Sequence, residues 1–401
     1  MPNTETVTHA VTPAQQRAAL TSASITLGLV LGARGNFGLF LAPLALHDVP
    51  IGMTAFAIAL HNLTWGIAQP LAGAWADRHG TARIQAVGAI LFAAGFALPA
   101  LYPATWAVIG GIGVLTGIGI ACTGWGVSLA GVARCFTARQ RPRALAIANA
   151  GCSAGQLAGP LVTAALLAYG GPQLALLGLG LLVLPAFFLG RPVDRAALEP
   201  VAPRKSIAAV RGALGEPAFV LLTLGFFTCG FQLSFLSTHL PGYLTLCGMS
   251  PAAGAWALTI VGAANIVGAY ACGHLGGRAS PHLTLATLYT LRGVAIFVFW
   301  QMPKTDLSLV LFAVVMGLTW LGTVPLTNSV IARLYGIRDL GALFGVCFIS
   351  HQFGGFVGAW AGGLVYEYSG SYDIAFAAAT ISGFTAAAFN LPIRMPRLAT
   401  A

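Results

Sequence analysis

Residues 73–83 read Gly73-Ala-Trp-Ala-Asp77-Arg78-His-Gly80-Thr-Ala-Arg83, a short polar passage that closes one apolar run and opens the next. Two hundred residues later, Gly273, Gly277 and Arg278 close another apolar run. The echo has companions. Ala133-Arg134 with Arg139 is matched by Ala332-Arg333 with Arg338, displaced by 199 residues. Gly151, Gly155 and Gly159 are matched by Gly354, Gly358 and Gly362, displaced by 203. Three matches at nearly one offset describe one unit written twice.

The chain around these passages is 57% hydrophobic and only 7% charged over 401 residues, where a soluble domain carries about a quarter charged residues. Uncharged apolar runs of membrane-crossing length, roughly 20 residues, lie near 22–46, 54–75, 84–102, 104–130, 144–168, 172–190, 217–240, 252–275, 283–301, 307–331, 341–366 and 374–391. Their lengths argue helices rather than the strands of a barrel. The expectation is an all-α integral membrane protein of twelve transmembrane helices in two pseudo-symmetric six-helix halves. Residues 1–190 form the first half, the polar stretch 191–213 a cytoplasmic linker, and 214–401 the second half. Glycine at every fourth position flattens a helix face and lets a neighbour come close, so the two glycine ladders are read as an interface that slides, with static packing as the alternative.

Every Lys and Arg except Arg34, Arg292 and Lys304 falls in a segment on one side of the expected membrane. By the bias of basic loops toward the cytoplasm, both termini are cytoplasmic in a multi-pass protein of the cell inner membrane. The net charge of +10 is thereby a topology signal that suits anionic lipid, and nucleic acid is not an expected partner. The first ~18 residues lack the basic-then-apolar order of a cleaved leader. Seven scattered cysteines have no CxxC or metal spacing, so no disulfide framework is implied.

Arg34 and Arg292 stand in the middle of apolar runs, whereas all ten acidic residues lie in polar stretches or at run ends. A guanidinium stays protonated, and leaving it unpaired in hydrocarbon costs at least several kcal/mol on most estimates. Water, backbone carbonyls or a transient anion must compensate it.

On these features the chain resembles the major facilitator superfamily over nearly its whole length. The 73–83 passage looks like the superfamily signature between helices 2 and 3, which implies a conformational gate at Gly73, Asp77, Arg78 and Gly80 that latches the cytoplasmic side. Gly277 stands where the second copy would carry its acid, so a latch there should be weaker. Gly151-x3-Gly155-x3-Gly159-Pro160 partly resembles a helix 5 motif of antiporters. Arg34-Gly-Asn-Phe-Gly-Leu-Phe-Leu-Ala-Pro43, the run Gly225 to Pro241 and Ser350-His351-Gln352 are similar to bacterial relatives of the monocarboxylate transporters. The resemblance implies that helices 1, 4, 7 and 10 line a central cavity, that 2, 5, 8 and 11 form the interface between halves, and that 3, 6, 9 and 12 lie outside.

On that layout Arg34 lies on a cavity helix and suits a forked, charge-assisted grip on a carboxylate, the alternative being a structural arginine on carbonyls at a helix break near Pro43. Arg292 falls on a peripheral helix, where a structural role reaching carbonyls or polar groups of helices 8 and 10 is preferred to a secondary anion contact. Known monocarboxylate carriers have a substrate arginine on helix 8, but Asn265 stands there in this chain. With no acid in a span, histidines are the side chains able to carry a coupling proton, His351 first and His61 second, while His239 reads as an outer-rim hydrogen bonder. Each could instead be a neutral histidine bonded to a neighbouring helix, and a proton could travel on the substrate as its neutral acid. Asn36, Trp125, Gln156, Gln232, Asn265 and Trp320 complete the expected substrate site, with Asn149, Ser234 and Asn328 as further polar groups.

No paired carboxylates, HExxH spacing or Walker loop support enzyme chemistry, and no cofactor is expected. The reading is a monomeric secondary active transporter that moves a small organic anion, a monocarboxylate, with protons by alternating access. The alternative is antiport efflux of a drug-like compound or toxic oxyanion. A sensor that binds without transport would need a signalling domain, and the longest inner loop spans only ~23 residues.

Overall fold

The computed structural model describes residues 11–137, 139–197, 207–278, 280–336 and 339–395. Residues 198–206 of the expected linker, Arg338 and Arg397 lie outside the described residues, as does the side chain of Arg278.

Every regular element among the described residues is helical. Helix α1 (Pro13–Arg34) opens on a capping box in which Thr12 and Gln15 satisfy each other's backbone N–H groups. A tight 3-10 turn at Phe37–Phe40 carries the chain into α2 (Leu41–Ala45), then α3 (Ile51–His79) and α4 (Thr81–Leu101). The next crossing is interrupted, running from α5 (Thr105–Val108) through a π turn at Ile109–Leu115 to α6 (Thr116–Thr123) and α7 (Trp125–Arg134). There follow α8 (Arg141–Val183), α9 (Ala186–Arg195), α10 (Ile207–Leu214), α11 (Pro217–Leu246), α12 (Ala253–Arg278), α13 (Pro281–Gln301), α14 (Asp306–Thr319), α15 (Thr323–Tyr335), α16 (Leu340–Ser369) and α17 (Asp373–Asn390).

Ten stretches are long and apolar enough to cross a membrane, against twelve apolar runs in the sequence. The difference has two sources. Arg143–Arg195 is one stretch of 53 residues, but its backbone leaves helical geometry at Gly170 and Gly171, the latter at φ +70°, a conformation glycine reaches without steric cost. The second source is α17, whose 18 residues are not among the ten.

Two main apolar cores form. One gathers Leu27, Trp65, Phe92, Phe96 and Leu176 from residues up to 196, with Ala359 added from α16, and the other gathers Phe219, Phe226, Phe235, Tyr289 and Phe376 from residues after 212; a small third cluster of Leu39, Ala255 and Leu258 joins the two parts of the chain. The glycine ladders work inside these cores. A Cβ on Gly151, Gly155 or Gly159 would collide with the backbone carbonyls of Ser24, Gly28 or Gly32 on α1. On Gly354 or Gly358 it would collide with those of Phe227 or Phe231 on α11. The ladders bring α8 onto α1 and α16 onto α11, backbone against backbone, within each core, the arrangement expected of static packing, the alternative to a sliding interface.

Contact between the cores is lopsided along the helix axes. On the far side from the described chain ends, α3 meets α16 through Gly52 against Glu367 and Ala55 against Gly363, with Phe56 ring-packed on Phe356 and Trp360. Gly38 lies against the carbonyls of Ser237 and Thr238 in the same layer. Toward the terminal side three glycines of these helices have no close neighbour. A Cβ added to Gly73 on α3, or to Gly341 or Gly345 on α16, would meet nothing within 4 Å.

Candidate functional site

Arg34 is half-buried in the first apolar run. Helix α1 ends there, with the Gly35 N–H closing the last turn on Leu31 O. Arg34 Nη2 donates to Asn62 Oδ1 at 2.7 Å, and the guanidinium carbon stands 4.9 Å from the centre of the Trp65 ring, a cation–π placement. Its Nε is buried with no hydrogen-bond partner, and no carboxylate pairs with it among the described residues. The partner amide reaches further: Asn62 Nδ2 donates to Ile58 O at 3.1 Å and to Ser234 Oγ on α11 at 3.0 Å. Asn62 thus ties Arg34 of the first core to a hydroxyl of the second.

A second polar bridge crosses nearby, where Asn265 Nδ2 on α12 donates to Gln156 Oε1 on α8 at 3.1 Å. Asn265 Oδ1 accepts the backbone N–H of Leu321 at 3.0 Å. Gly262 permits this meeting, since a Cβ there would stand 2.6 Å from Gln156 O.

Leu321 belongs to a break between α14 and α15, and Arg292 holds the other face of that break. Its side chain is fully buried. Nη2 donates to the carbonyls of Thr319 and of Trp320, the latter at 2.6 Å, Nε donates to Thr319 Oγ1 at 3.3 Å, and Nη1 to Cys229 Sγ at 3.1 Å. Unwound carbonyls at a helix break need donors, and this guanidinium supplies them. The two mid-span arginines are chemically opposite: Arg292 is saturated by its own protein, whereas Arg34 has one neutral amide partner and an unused N–H.

The remaining expected residues divide by position. Trp125 packs on Trp65, ring centroids 5.9 Å apart, and its indole N–H has only the Cys152 thiol nearby, outside hydrogen-bonding geometry. Asn36 donates to Gly32 O at 2.5 Å and keeps Oδ1 buried and unpartnered beside Arg34 in the chain. His61, one residue before Asn62, bonds Thr116 Oγ1 through Nδ1 at 2.7 Å, and its Nε2 is buried without a partner. His351 Nδ1 bonds Gln352 Oε1 at 3.0 Å, its ring between Phe226 and Phe348. Gln232 is not brought to this cluster: it donates to Ala379 O on α17 at 2.9 Å, inside the second core. Trp320 contributes its carbonyl to Arg292, and Asn328 bonds Val324 O of its own helix. His239 is a buried clasp rather than a rim residue, bonded to Ala359 O at 2.7 Å and Tyr372 Oη at 3.2 Å. Asn62, the hub of the bridge, was missed in the sequence; the available signal was an amide in the middle of an apolar run, one residue from His61.

At the terminal end of α3, Asp77 forms a 2.7 Å ion pair with Arg134, whose Nη2 also donates to Thr81 Oγ1 at 2.7 Å. Asp194 accepts the backbone N–H groups of Thr81 at 2.7 Å and Ala82 at 2.9 Å, capping α4. Gly80, at φ +89°, makes the tight turn between α3 and α4, and a Cβ there would press on the Asp194 carboxylate. Arg78 is exposed. Asp77 and the Gly80–Ala82 turn are thus braced by Arg134 and Asp194 of the same part of the chain.

Residues 23–321 and 247–400 match the model of the Major Facilitator Superfamily. The chain belongs to the major facilitator superfamily. It is 27% identical over 351 residues, 84% of this chain and 85% of the relative, to the uncharacterized MFS-type transporter YcxA of Bacillus subtilis (strain 168). Monocarboxylate transporter 13 of Bos taurus is 25% identical over 382 residues, 94% of this chain and 88% of its own. The Fujikurins efflux protein of Gibberella fujikuroi is 23% identical over 305 residues, 75% and 64% of the two chains. These relatives are transporters, not enzymes, and this superfamily member is a multi-pass membrane protein related to monocarboxylate transporters.

Proposed function

We propose that the protein is a secondary active transporter that moves a small organic anion, a monocarboxylate, across the inner membrane with protons by alternating access. In this reading residues 1–190 and 214–401 form two six-helix halves joined by a cytoplasmic linker at 191–213. Counting the break at Gly170–Gly171 and α17 as adding one crossing each makes twelve, and two main apolar cores drawn almost wholly from either side of 191–213 support the division. The terminal side, where Gly73, Gly341 and Gly345 have no close neighbour, is then cytoplasmic, and the conformation is inward-facing.

The observation that carries the proposal is the state of the Arg34 guanidinium: mid-membrane, unpaired by any acid, with a buried free N–H and a neutral amide on Nη2. A carboxylate offers two acceptor oxygens and a full charge, so it competes with the Asn62 amide for Nη2 and can take a second N–H in a forked grip. Displacing Asn62 loosens its bond to Ser234, which links anchor occupancy to the contact between halves. His351 and His61 are the groups proposed to carry the coupling proton, and Asp77 with Arg134 the cytoplasmic gate.

The efflux reading is favoured by one observation, the relative named for efflux of fujikurins. The same anchor serves it, with the direction of flux reversed. Uptake of a panel of radiolabelled monocarboxylates into proteoliposomes, with and without an inward proton gradient, tests the main proposal. Gradient-stimulated uptake of at least one acid is expected. A panel that shows none overturns it.

A further inference from the structure

We propose that the substrate class of this site is an aryl monocarboxylate, an acid carrying a flat aromatic ring next to its carboxyl group. The proposal rests on the reading of Arg34 as a carboxylate anchor and goes on to what the rest of the ligand meets.

The wall beside the anchor is made of rings. Trp65, fully buried, lies under the Arg34 guanidinium, and three rings pack on it: Trp125 at 5.9 Å, Phe348 edge-on at 5.2 Å and the His61 imidazole at 6.2 Å. Trp125 and Phe348 are only half-buried although both rest on a fully buried ring, so part of each ring is left uncovered. Phe344 continues the row on α16, 6.4 Å from Phe348. Gly345, three residues before Phe348 on the same helix, has no neighbour within 4 Å of a Cβ built on it.

The side chains close to the anchor hold no second cation for a doubly charged ligand, and their unused polar atoms, Asn36 Oδ1, His61 Nε2 and the Trp125 indole N–H, are all buried. Asn62 is engaged with Arg34 and Ser234, and Gln156 with Asn265. No second guanidinium is free, since Arg292 is consumed by the α14–α15 break. A ligand held by its carboxylate therefore lays its remaining surface on tryptophan and phenylalanine. Aromatic groups gain from such walls by burial and by edge-to-face contact, the latter amounting to up to about tenfold in affinity per well-placed pair. Acetate would leave the wall uncovered, and a saturated ring would gain burial without the ring–ring term.

Equilibrium binding to the purified full chain, using phenylacetate, benzoate, cyclohexanecarboxylate, acetate and benzamide as probes, tests this. The aromatic acids are expected to bind about tenfold or more tightly than acetate, and more tightly than cyclohexanecarboxylate, with benzamide much weaker. Trp125→Leu and Phe348→Leu should each narrow the ratio of phenylacetate to acetate affinity; a ratio untouched by both would overturn the wall assignment. Acetate or cyclohexanecarboxylate binding as tightly as the aromatic acids would overturn the aryl class while leaving the carboxylate anchor standing. Failure of every acid to bind, or equal binding of benzamide and benzoate, would overturn the anchor itself. The ranking of the probes is read in the wild-type protein, so a variant that misfolds leaves that arm of the test intact.

Discussion

Ser234→Ala probes the bridge between the cores with a single atom. The Ser234 hydroxyl accepts from Asn62 Nδ2 at 3.0 Å, with both residues buried. Removing it costs this conformation one neutral hydrogen bond, about 1 kcal/mol. Asn62 keeps its bond to Ile58 O at 3.1 Å, so the amide nitrogen is not stranded and the larger penalty for an unsatisfied buried group does not apply. A bond present only when the far side is closed shifts the closed-to-open ratio by about fivefold when lost. Spin labels at Leu46 and Tyr368, which are 86% and 88% exposed on the far side of the two cores, report that ratio as a distance distribution. Cys247 is the one exposed native cysteine, so its replacement leaves a clean background. Ser237→Ala is the control, because that hydroxyl bonds only Ser234 O of its own helix. A distribution unchanged in both Ser234→Ala and Asn62→Ala refutes the bridge as an element that senses the conformational state.

Other perturbations separate structural from functional groups. Arg292→Lys replaces a fork with a point charge and strands carbonyls of the α14–α15 break; breaking such a buried network costs about 3–5 kcal/mol, seen as a lower melting temperature in detergent with ligand preference unchanged in whatever folds. Gly155→Ala drives a methyl group into Gly28 O and should destabilise by about 1–3 kcal/mol, whereas Gly73→Ala meets open space and should fall within about 0.5 kcal/mol of wild type or be slightly stabilising; paired thermal melts check both. Asp77→Asn removes a partly exposed ion pair with Arg134 and should change stability by less than about 1 kcal/mol while altering the rate of proteoliposome transport.

Much of this was legible in the sequence because membrane crossing is a matter of length and charge placement. The apolar runs, the doubled 73–83 passage and the solitary arginines carry that information outright, and the contrast between Arg34 and Arg292 follows from which run each occupies. Helix faces were not legible. A helix that is apolar all round offers no stripe to say which neighbour it meets, so the glycine ladders mark a close interface without naming its partners, which are α1 for α8 and α11 for α16. Gln232 was placed at the substrate for the same reason, and it faces α17. Asn62 went unnoticed because an amide in an apolar run becomes informative only when its two partners, far apart in the chain, are known. The breaks at Gly35–Asn36, Gly124 and Trp320–Gly322 were hidden as well, since the residues around them are as apolar as those of unbroken helix.

The central claim is that Arg34 is the anion anchor, and equilibrium binding of radiolabelled monocarboxylates to wild type and to Arg34→Gln, each verified as folded by its elution and melting profile, tests it most directly. Loss of a forked, charge-assisted contact at about 1.5–3 kcal/mol per bond predicts an affinity at least about a hundredfold weaker in Arg34→Gln. A variant that binds the same acid with wild-type affinity would contradict the account.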